Sequence, residues 1–91
     1  MNDKPFATLE EIKKLPPDEA ISFLDFFISS HPGDDDAITL RGMKYWALNQ
    51  RDKAINDFLA AVKINPEGKG KTALEYVNSI LDYYNPDLLN P

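Results

Sequence analysis

The chain of 91 residues contains no cysteine. Without cysteine it has no disulfide, no thiolate zinc site and no cysteine nucleophile. Basic residues are also few, because 10 Lys and Arg stand against 15 Asp and Glu and give a net charge of −5. Nucleic acid binding needs clustered Lys and Arg that neutralise phosphates. The composition therefore argues against a nucleic acid partner and mildly favours a basic protein partner.

Long hydrophobic runs are missing as well. The longest apolar cluster, residues 23–28, is interrupted by Asp25 and is far shorter than the roughly 20 residues of a membrane span. Residues 1–14 include no apolar stretch of the kind found in a signal peptide. We therefore expect a cytoplasmic protein that makes no membrane contact.

The composition, with 43% hydrophobic and 27% charged residues, is that of one small globular domain. A capping box at Thr8 and Glu11 predicts the start of a short first helix. The second helix begins at Pro17 and carries an apolar stripe of helical period. Phe23 and Phe26 widen this stripe, which predicts that the second helix packs against two neighbours.

Polar and proline-containing segments separate the remaining helices. Three acids at residues 34–36 predict the start of a third helix, which runs to about Asn49. A fourth helix ends at residues 65–66. Residues 67–71, rich in glycine and lysine, predict a loop before a fifth helix from about Thr72. No segment alternates with a period of two, so the sequence predicts an all-α fold with about five helices.

Similar residues recur in this chain at a separation of 34 positions. A period between about 20 and 50 residues is typical of stacked repeats, in which one unit cannot bury its apolar face alone. The matching positions are Ala20 with Ala54, Ile21 with Ile55, Leu24 with Phe58, Ile28 with Val62, and Pro32 with Pro66.

The third helix carries Gly42 and Tyr45 three positions apart, and the fourth carries Ala54 and Phe58 four positions apart, with Pro66 after them. By these residues the two helices resemble the tetratricopeptide repeat family. Its signature has Trp-x2-Leu-Gly-x2-Tyr in one helix, then Ala-x3-Phe and a later proline in the next. Ile38 and Arg41 stand where the signature has tryptophan and leucine. The resemblance implies a right-handed stack of antiparallel helix hairpins that forms an α-α superhelix. The residues that match the signature are Gly42, Tyr45, Ala54, Phe58 and Pro66.

The resemblance also implies how a single domain over residues 1–91 is divided. Residues 1–34 form a partial first repeat and residues 35–68 a full repeat. Residues 69–85 form either the first helix of a third repeat or a capping helix, and residues 86–91 form a tail.

In this family the first helix of each repeat lines a concave groove that holds partner peptides. By resemblance Thr39, Met43 and Trp46 face that groove, and Val77 and Ile80 are candidates from the fifth helix. Trp46 has an equal alternative, in which it packs against the short first helix and completes the core. The resemblance therefore implies a module that binds a peptide or a partner helix through apolar contacts.

Three groups of residues that look like chemical sites have simpler structural explanations. Residues 70–72 lack the earlier glycine of a phosphate-binding loop. The acids at 34–36 lack the spacing of a calcium loop and are explained by helix capping. His31 lies at a helix end, where an imidazole contacts terminal carbonyls. We therefore expect no cofactor, no metal and no enzymatic activity.

A second interpretation is a structural domain that associates with itself. Phe23, Phe26 and Phe27 are many aromatics for one helix, and stacking of two copies would cover them. The two interpretations differ in the partner. In the first the partner is a peptide or another protein, and in the second it is a further copy of this chain, which gives a homo-oligomer.

Overall fold

A computed structural model describes the backbone of residues 8–84 and the side chains of residues 8–80. These residues form five helices and no strand, which confirms the predicted all-α fold. None of these helices has the length and apolar character needed to cross a membrane. The predicted tail at residues 86–91 lies outside the described residues. The helices are α1 (Leu9–Lys13), α2 (Pro17–Ser30), α3 (Asp35–Ala47), α4 (Arg51–Ile64) and α5 (Lys69–Tyr84).

The short helix α1 is fixed at both ends by polar contacts. Its predicted capping box is present, because the Thr8 hydroxyl accepts from the Glu11 amide at 3.3 Å and the Glu11 carboxylate accepts from the Thr8 amide at 2.9 Å. At the other end, the Lys44 ammonium of α3 donates to the carbonyls of Lys13 at 2.7 Å and Leu15 at 3.2 Å. Carbonyls at a helix end have no intrahelical partner, so Lys44 ties α1 to α3.

The ends of α3 follow from local chemistry. Asp34 caps the start, with its carboxylate accepting from the Ala37 amide at 3.0 Å. The helix ends at Ala47, before the predicted Asn49. Asn49 adopts the left-handed region with φ of 62°, and the Gln50 amide returns to the Tyr45 carbonyl at 2.9 Å. Asparagine tolerates this conformation well, and the returning bond is a common way to close a helix.

The predicted loop at residues 67–71 is partly wrong, because α5 begins at Lys69 rather than at about Thr72. Gly70 is buried in the first turn of α5, where a Cβ atom would lie 2.8 Å from the Cβ of Ala61. This glycine therefore serves a close approach between α4 and α5 rather than a flexible turn. A glycine that permits helix contact and one that permits a turn look the same in a sequence.

The helices repeat with the period seen in the sequence. α2 begins at Pro17 and α4 at Arg51, while α3 begins at Asp35 and α5 at Lys69, both 34 residues apart. The same interval separates the end of α1 at Lys13 from the end of α3. In this register α1 corresponds to residues 43–47, the last part of α3.

Two apolar clusters hold these helices together, and α3 contributes to both. α3 packs against α2, α4 and α5, while α1 packs against α2. The first cluster consists of the buried residues Ile12, Ala20, Leu24 and Ala37, with Leu9, Leu15, Phe27, Ile28 and Leu40 packed around them. The second cluster consists of the buried residues Ala54, Phe58 and Val77, with Tyr45, Trp46, Ile55, Ala73 and Leu74 packed around them.

Helix α2 packs against two neighbours, α1 and α3, as its apolar content predicts. The residues expected to widen its packed stripe do not do so. Phe23 and Phe26 keep 44% and 57% of their surface exposed, whereas Ala20 and Leu24 are fully buried. Helical geometry explains the difference, since Phe26 lies about 160° around the helix from Leu24.

Candidate functional site

A groove runs between α1 and α5, with α3 as its floor. Its volume is about 670 Å³, within the range of roughly 300 to 1,000 Å³ that is usual for ligand sites. The α1 side contributes Leu9, Glu10 and Lys13, and the floor contributes Asp36, Thr39, Leu40, Met43, Trp46 and, from α4, Phe58. The α5 side contributes Lys69, Thr72, Ala73, Tyr76 and Val77.

The groove is a product of the 34-residue period. Leu9, Met43 and Val77 lie 34 positions apart in turn, and all three line it. Thr39 and Ala73 form a second pair at the same interval. Equivalent positions on α1, α3 and α5 therefore face the same space, as expected for three helices set side by side.

Two large apolar side chains of the groove lining are more than half exposed. Met43 is 55% exposed and Tyr76 is 62% exposed. Thr39 and Val77 lie deeper, with 3% and 1% of their surface exposed. A partner that entered the groove would touch Met43 and Tyr76 first.

The structure brings together four of the five residues that the sequence singled out. Thr39, Met43, Trp46 and Val77 line the groove, while the half-buried Ile80 lies outside its lining. Trp46 lines the groove as the resemblance implied, but the cluster that it packs against is formed by α4 and α5 and is not the α1 contact of the alternative. It is half-buried, lines the groove and packs against the second cluster, and the Arg51 guanidinium lies 5.0 Å from its ring centroid.

The groove lining carries charges of both signs that are not neutralised locally. Glu10 and Lys13 lie on α1, Asp36 in the first turn of α3 and Lys69 at the start of α5. None of the four forms an ion pair with another residue in the described part of the chain. They remain available to a partner that carries complementary charges.

The floor contains one polar group with an unusual environment. The Thr39 hydroxyl oxygen is buried and makes no hydrogen bond to any described residue. Leaving such a group unsatisfied costs about 1 to 3 kcal/mol. The other buried polar side chain of the described residues, Asp57, is fully engaged elsewhere.

That engagement is an ion network on the opposite side of α3. Arg41, about 200° around the helix from Thr39, donates to both carboxylate oxygens of Asp57 at 2.9 and 2.8 Å. It also donates to Asp25 at 3.0 Å, so one guanidinium joins α2, α3 and α4. The hydrogen bond to Asp57 is the main reason that the pKa of Arg41 is raised above its usual value.

Tyr45 lies beside this network. Burial of its phenol is the main cause that raises its pKa, and the negative charge of Asp25 adds to the effect. Its ring also lies 5.6 Å from the Lys53 ammonium. The network and Tyr45 lie on the side of α3 that faces away from the groove. They hold α3 in place but do not line the groove.

The residues weighed for catalysis or metal binding show structural contacts. His31 Nδ1 lies 3.1 Å from the Phe27 carbonyl oxygen, and the two rings stack at 4.5 Å. Among the described residues no cluster of three or more His, Asp or Glu side chains is arranged to hold a metal. Residues 70–72 lie in the first turn of α5.

Sequence reasoning missed several members of the groove and its support. Leu9 could have been found, because it lies 34 positions before Met43. Tyr76 had no such signal, since it lies 34 positions after Gly42. The partners of Arg41 are both 16 residues away and follow no motif.

Comparison of the chain with models of known protein families, with curated proteins and with solved structures finds no match.

Proposed function

We propose that this chain is an interaction module of the tetratricopeptide repeat type, which binds a peptide or a partner helix in the groove between α1, α3 and α5. The carrying observation is the groove itself, about 670 Å³ in volume, with half-exposed apolar side chains in its lining. Monomeric proteins seldom leave such concave apolar surface uncovered unless it binds something.

Two features support the family assignment within this proposal. The first is the interval of 34 residues between the starts of α2 and α4 and between those of α3 and α5. The second is the close crossing that the signature residues require. A Cβ on Gly42 would lie 2.6 Å from the Phe58 ring and 3.1 Å from the Ala54 carbonyl oxygen. Three signature positions thus meet at one contact.

The proposed mechanism is recognition by apolar anchors. Met43 and Tyr76 present accessible surface from two helices, and the methionine side chain adapts easily to different partners. Among the described residues, neither flank of the groove has a cluster of cations that would hold a terminal carboxylate. The partner is therefore held by apolar contact and by the separate charges on α1, α3 and α5.

The proposal is tested by selecting binders from a displayed library of peptides of about 14 residues, roughly four helical turns. A selected peptide is labelled and its affinity for variants is measured by fluorescence anisotropy. Met43→Ala should weaken binding about fivefold to tenfold, because it removes a central apolar anchor worth roughly 1 kcal/mol. Trp46 is a poorer target, since its half-buried ring also packs against the second cluster.

Leu59 provides a matched control on α4. It is 53% exposed, against 55% for Met43, but it does not line the groove. Leu59→Ala should change affinity by less than about twofold. Failure to enrich any peptide, or equal losses for the two variants, would show that the groove is not the binding site.

A second candidate, self-association, is favoured by the exposed surface of α2. Phe23 exposes 44% of its surface on a helix that carries acids and no Lys or Arg. Sedimentation velocity at micromolar concentration separates the two candidates, because a monomer at that concentration rules out a stable dimer. Cytoplasmic location and the lack of enzymatic activity stay predictions from the sequence.

A further inference from the structure

The unsatisfied hydroxyl of Thr39 lies at the one part of the fold where a partner is proposed to bind. Thr39 is 3% exposed, lines the groove, and its hydroxyl oxygen is buried without a partner among the described residues. A threonine within a helix ordinarily bonds to a carbonyl one turn earlier, and this one does not. Its donor and acceptor capacity is therefore unused by the described residues.

The same floor indicates the conformation of the partner. An extended peptide would place several backbone amides and carbonyls against the floor, and each would need a hydrogen bond. In the described residues Thr39 is the one buried polar side chain that the floor offers, because the other buried polar side chain, Asp57, does not line the groove and is paired with Arg41. A helix satisfies its own backbone and needs only side-chain partners.

The charges around the groove fit a helix as well. An amphipathic helix carries charged residues on both sides of its apolar stripe. Glu10 and Lys13 on one flank, and Asp36 and Lys69 towards the other, have no ion-pair partner among the described residues. Both signs on the protein call for both signs on the partner.

We infer that the groove selects an amphipathic helix whose apolar stripe contains one small hydrogen-bonding side chain, such as Ser, Thr, Asn or Gln, which pairs with the hydroxyl of Thr39. This inference rests on the proposed peptide-binding function and adds the chemistry of the partner to it. Thr39 is the specificity-determining residue, while Met43 and Tyr76 supply apolar contact that is less selective.

The hydroxyl reaches the partner by rotation of the Thr39 side chain. Threonine in a helix populates two χ1 rotamers, and rotation moves the hydroxyl to another position around Cβ. In the free protein no hydrogen bond of the hydroxyl to a described residue has to break first. A partner that lacks the polar group leaves the hydroxyl unsatisfied, which is the basis of discrimination.

The test uses parallel selections of the displayed library on the wild-type protein and on Thr39→Val. The variant keeps the shape of the side chain and replaces the hydroxyl with a methyl. Helices enriched on the wild-type protein should carry one polar residue on the apolar stripe, whereas those enriched on Thr39→Val should carry an aliphatic residue there. A wild-type-selected peptide should lose roughly tenfold in affinity for Thr39→Val, the usual effect of one buried hydrogen bond.

Two controls separate recognition from a structural role. Thr39→Ser retains the hydroxyl and should bind the wild-type-selected peptide within about threefold, since only a methyl is lost. The thermal midpoint of Thr39→Val should equal or exceed that of the wild-type protein, because an unsatisfied polar group has been removed. Recognition thus falls while stability does not.

Other results would contradict either the inference alone or the proposed function together with it. Identical peptides and affinities for the wild-type protein and Thr39→Val overturn the inference and leave the peptide-binding function standing. A lowered thermal midpoint for Thr39→Val also overturns it, since the hydroxyl then has a structural bond. Enrichment of no peptide on either protein, or binding insensitive to Met43→Ala, overturns the proposed function and the inference together.

Discussion

Helices α2 and α4 occupy equivalent places 34 residues apart, and comparing them shows which positions the repeat determines. Ala20 and Ala54 are both fully buried. The larger residues four positions after them are buried as well, since Leu24 is 0% exposed and Phe58 is 2% exposed. Phe23, by contrast, is 44% exposed, and its equivalent Asp57 is 7% exposed. At this equivalent position, α2 exposes an apolar residue and α4 buries a charged one.

The reversal is explained by a single residue of α3. Arg41 holds Asp57 on its own hairpin and Asp25 on the preceding helix. The residue 34 positions before Arg41 is Ala7, which cannot pair with a carboxylate. Packing positions therefore repeat because they depend on backbone register, whereas paired positions depend on one side chain that the other unit lacks.

The largest predicted effect is the loss of stability when the large buried residue of α4 or of α2 is replaced by alanine. Phe58→Ala should lower the free energy of unfolding by about 3 to 5 kcal/mol, because the ring is buried against α3 and α5. Leu24→Ala should cost less, about 2 to 4 kcal/mol, because it removes a smaller side chain. Urea unfolding followed by circular dichroism measures both.

The control for this pair is Leu59→Ala, which alters an exposed residue of α4 and should change stability by no more than about 0.5 kcal/mol. A larger loss of unfolding free energy for Leu24→Ala than for Phe58→Ala would contradict this prediction. The N-terminal cluster would then be the main source of stability.

The sequence predicted the fold from features that act over short distances. Capping by Thr8 and Asp34 depends on residues three positions away, so the starts of α1 and α3 were readable. The start of α5 was not, because Gly70 is explained by its contact with Ala61 of another helix. Local chemistry is visible in a sequence, and contacts between helices are visible only where a repeat or a family pattern reports them.

The second prediction concerns the ion network that distinguishes α4 from α2. Arg41→Leu restores the residue of the repeat signature but leaves the Asp57 carboxylate buried without its cation. We expect a loss of about 2 to 3 kcal/mol. This is below the full cost of a broken buried pair, since the Arg41 side chain is 23% exposed. Urea unfolding at neutral pH measures the loss.

Two further variants sharpen this result. Asp25→Asn removes the 55% exposed partner of the same guanidinium and should cost less than about 1 kcal/mol. Adding Asp57→Leu to Arg41→Leu should recover most of the stability, because no buried charge is then left unpaired. If Arg41→Leu alone is neutral, the network contributes nothing and the reversal between α2 and α4 has another cause.

The candidate site was predictable to a similar extent. Met43 and Thr39 were placed in the groove because they lie on the face of a first helix that lines the groove in the family pattern. That the Thr39 hydroxyl lacks a hydrogen-bond partner among the described residues could not be predicted, since the bonding of a buried group depends on all of its neighbours. Tyr76 was missed because it lies 34 positions after Gly42, which packs against the Phe58 ring and gives no indication of an exposed groove residue.

The smallest predicted effect tests whether α1 is held as firmly as α3, whose last turn closes through its own backbone at Asn49. α1 depends instead on Lys44, whose ammonium donates to two carbonyls at its end. Lys44→Met keeps the aliphatic chain and removes both bonds, at a cost of about 1 kcal/mol. Hydrogen exchange should become faster at the Ile12 amide, which bonds to the Thr8 carbonyl, and stay unchanged in α4.

Lys63→Met on α4 serves as the control. Uniform acceleration in all helices would mean that Lys44 supports the whole fold, and unchanged exchange at Ile12 would mean that apolar packing alone holds this wall of the groove.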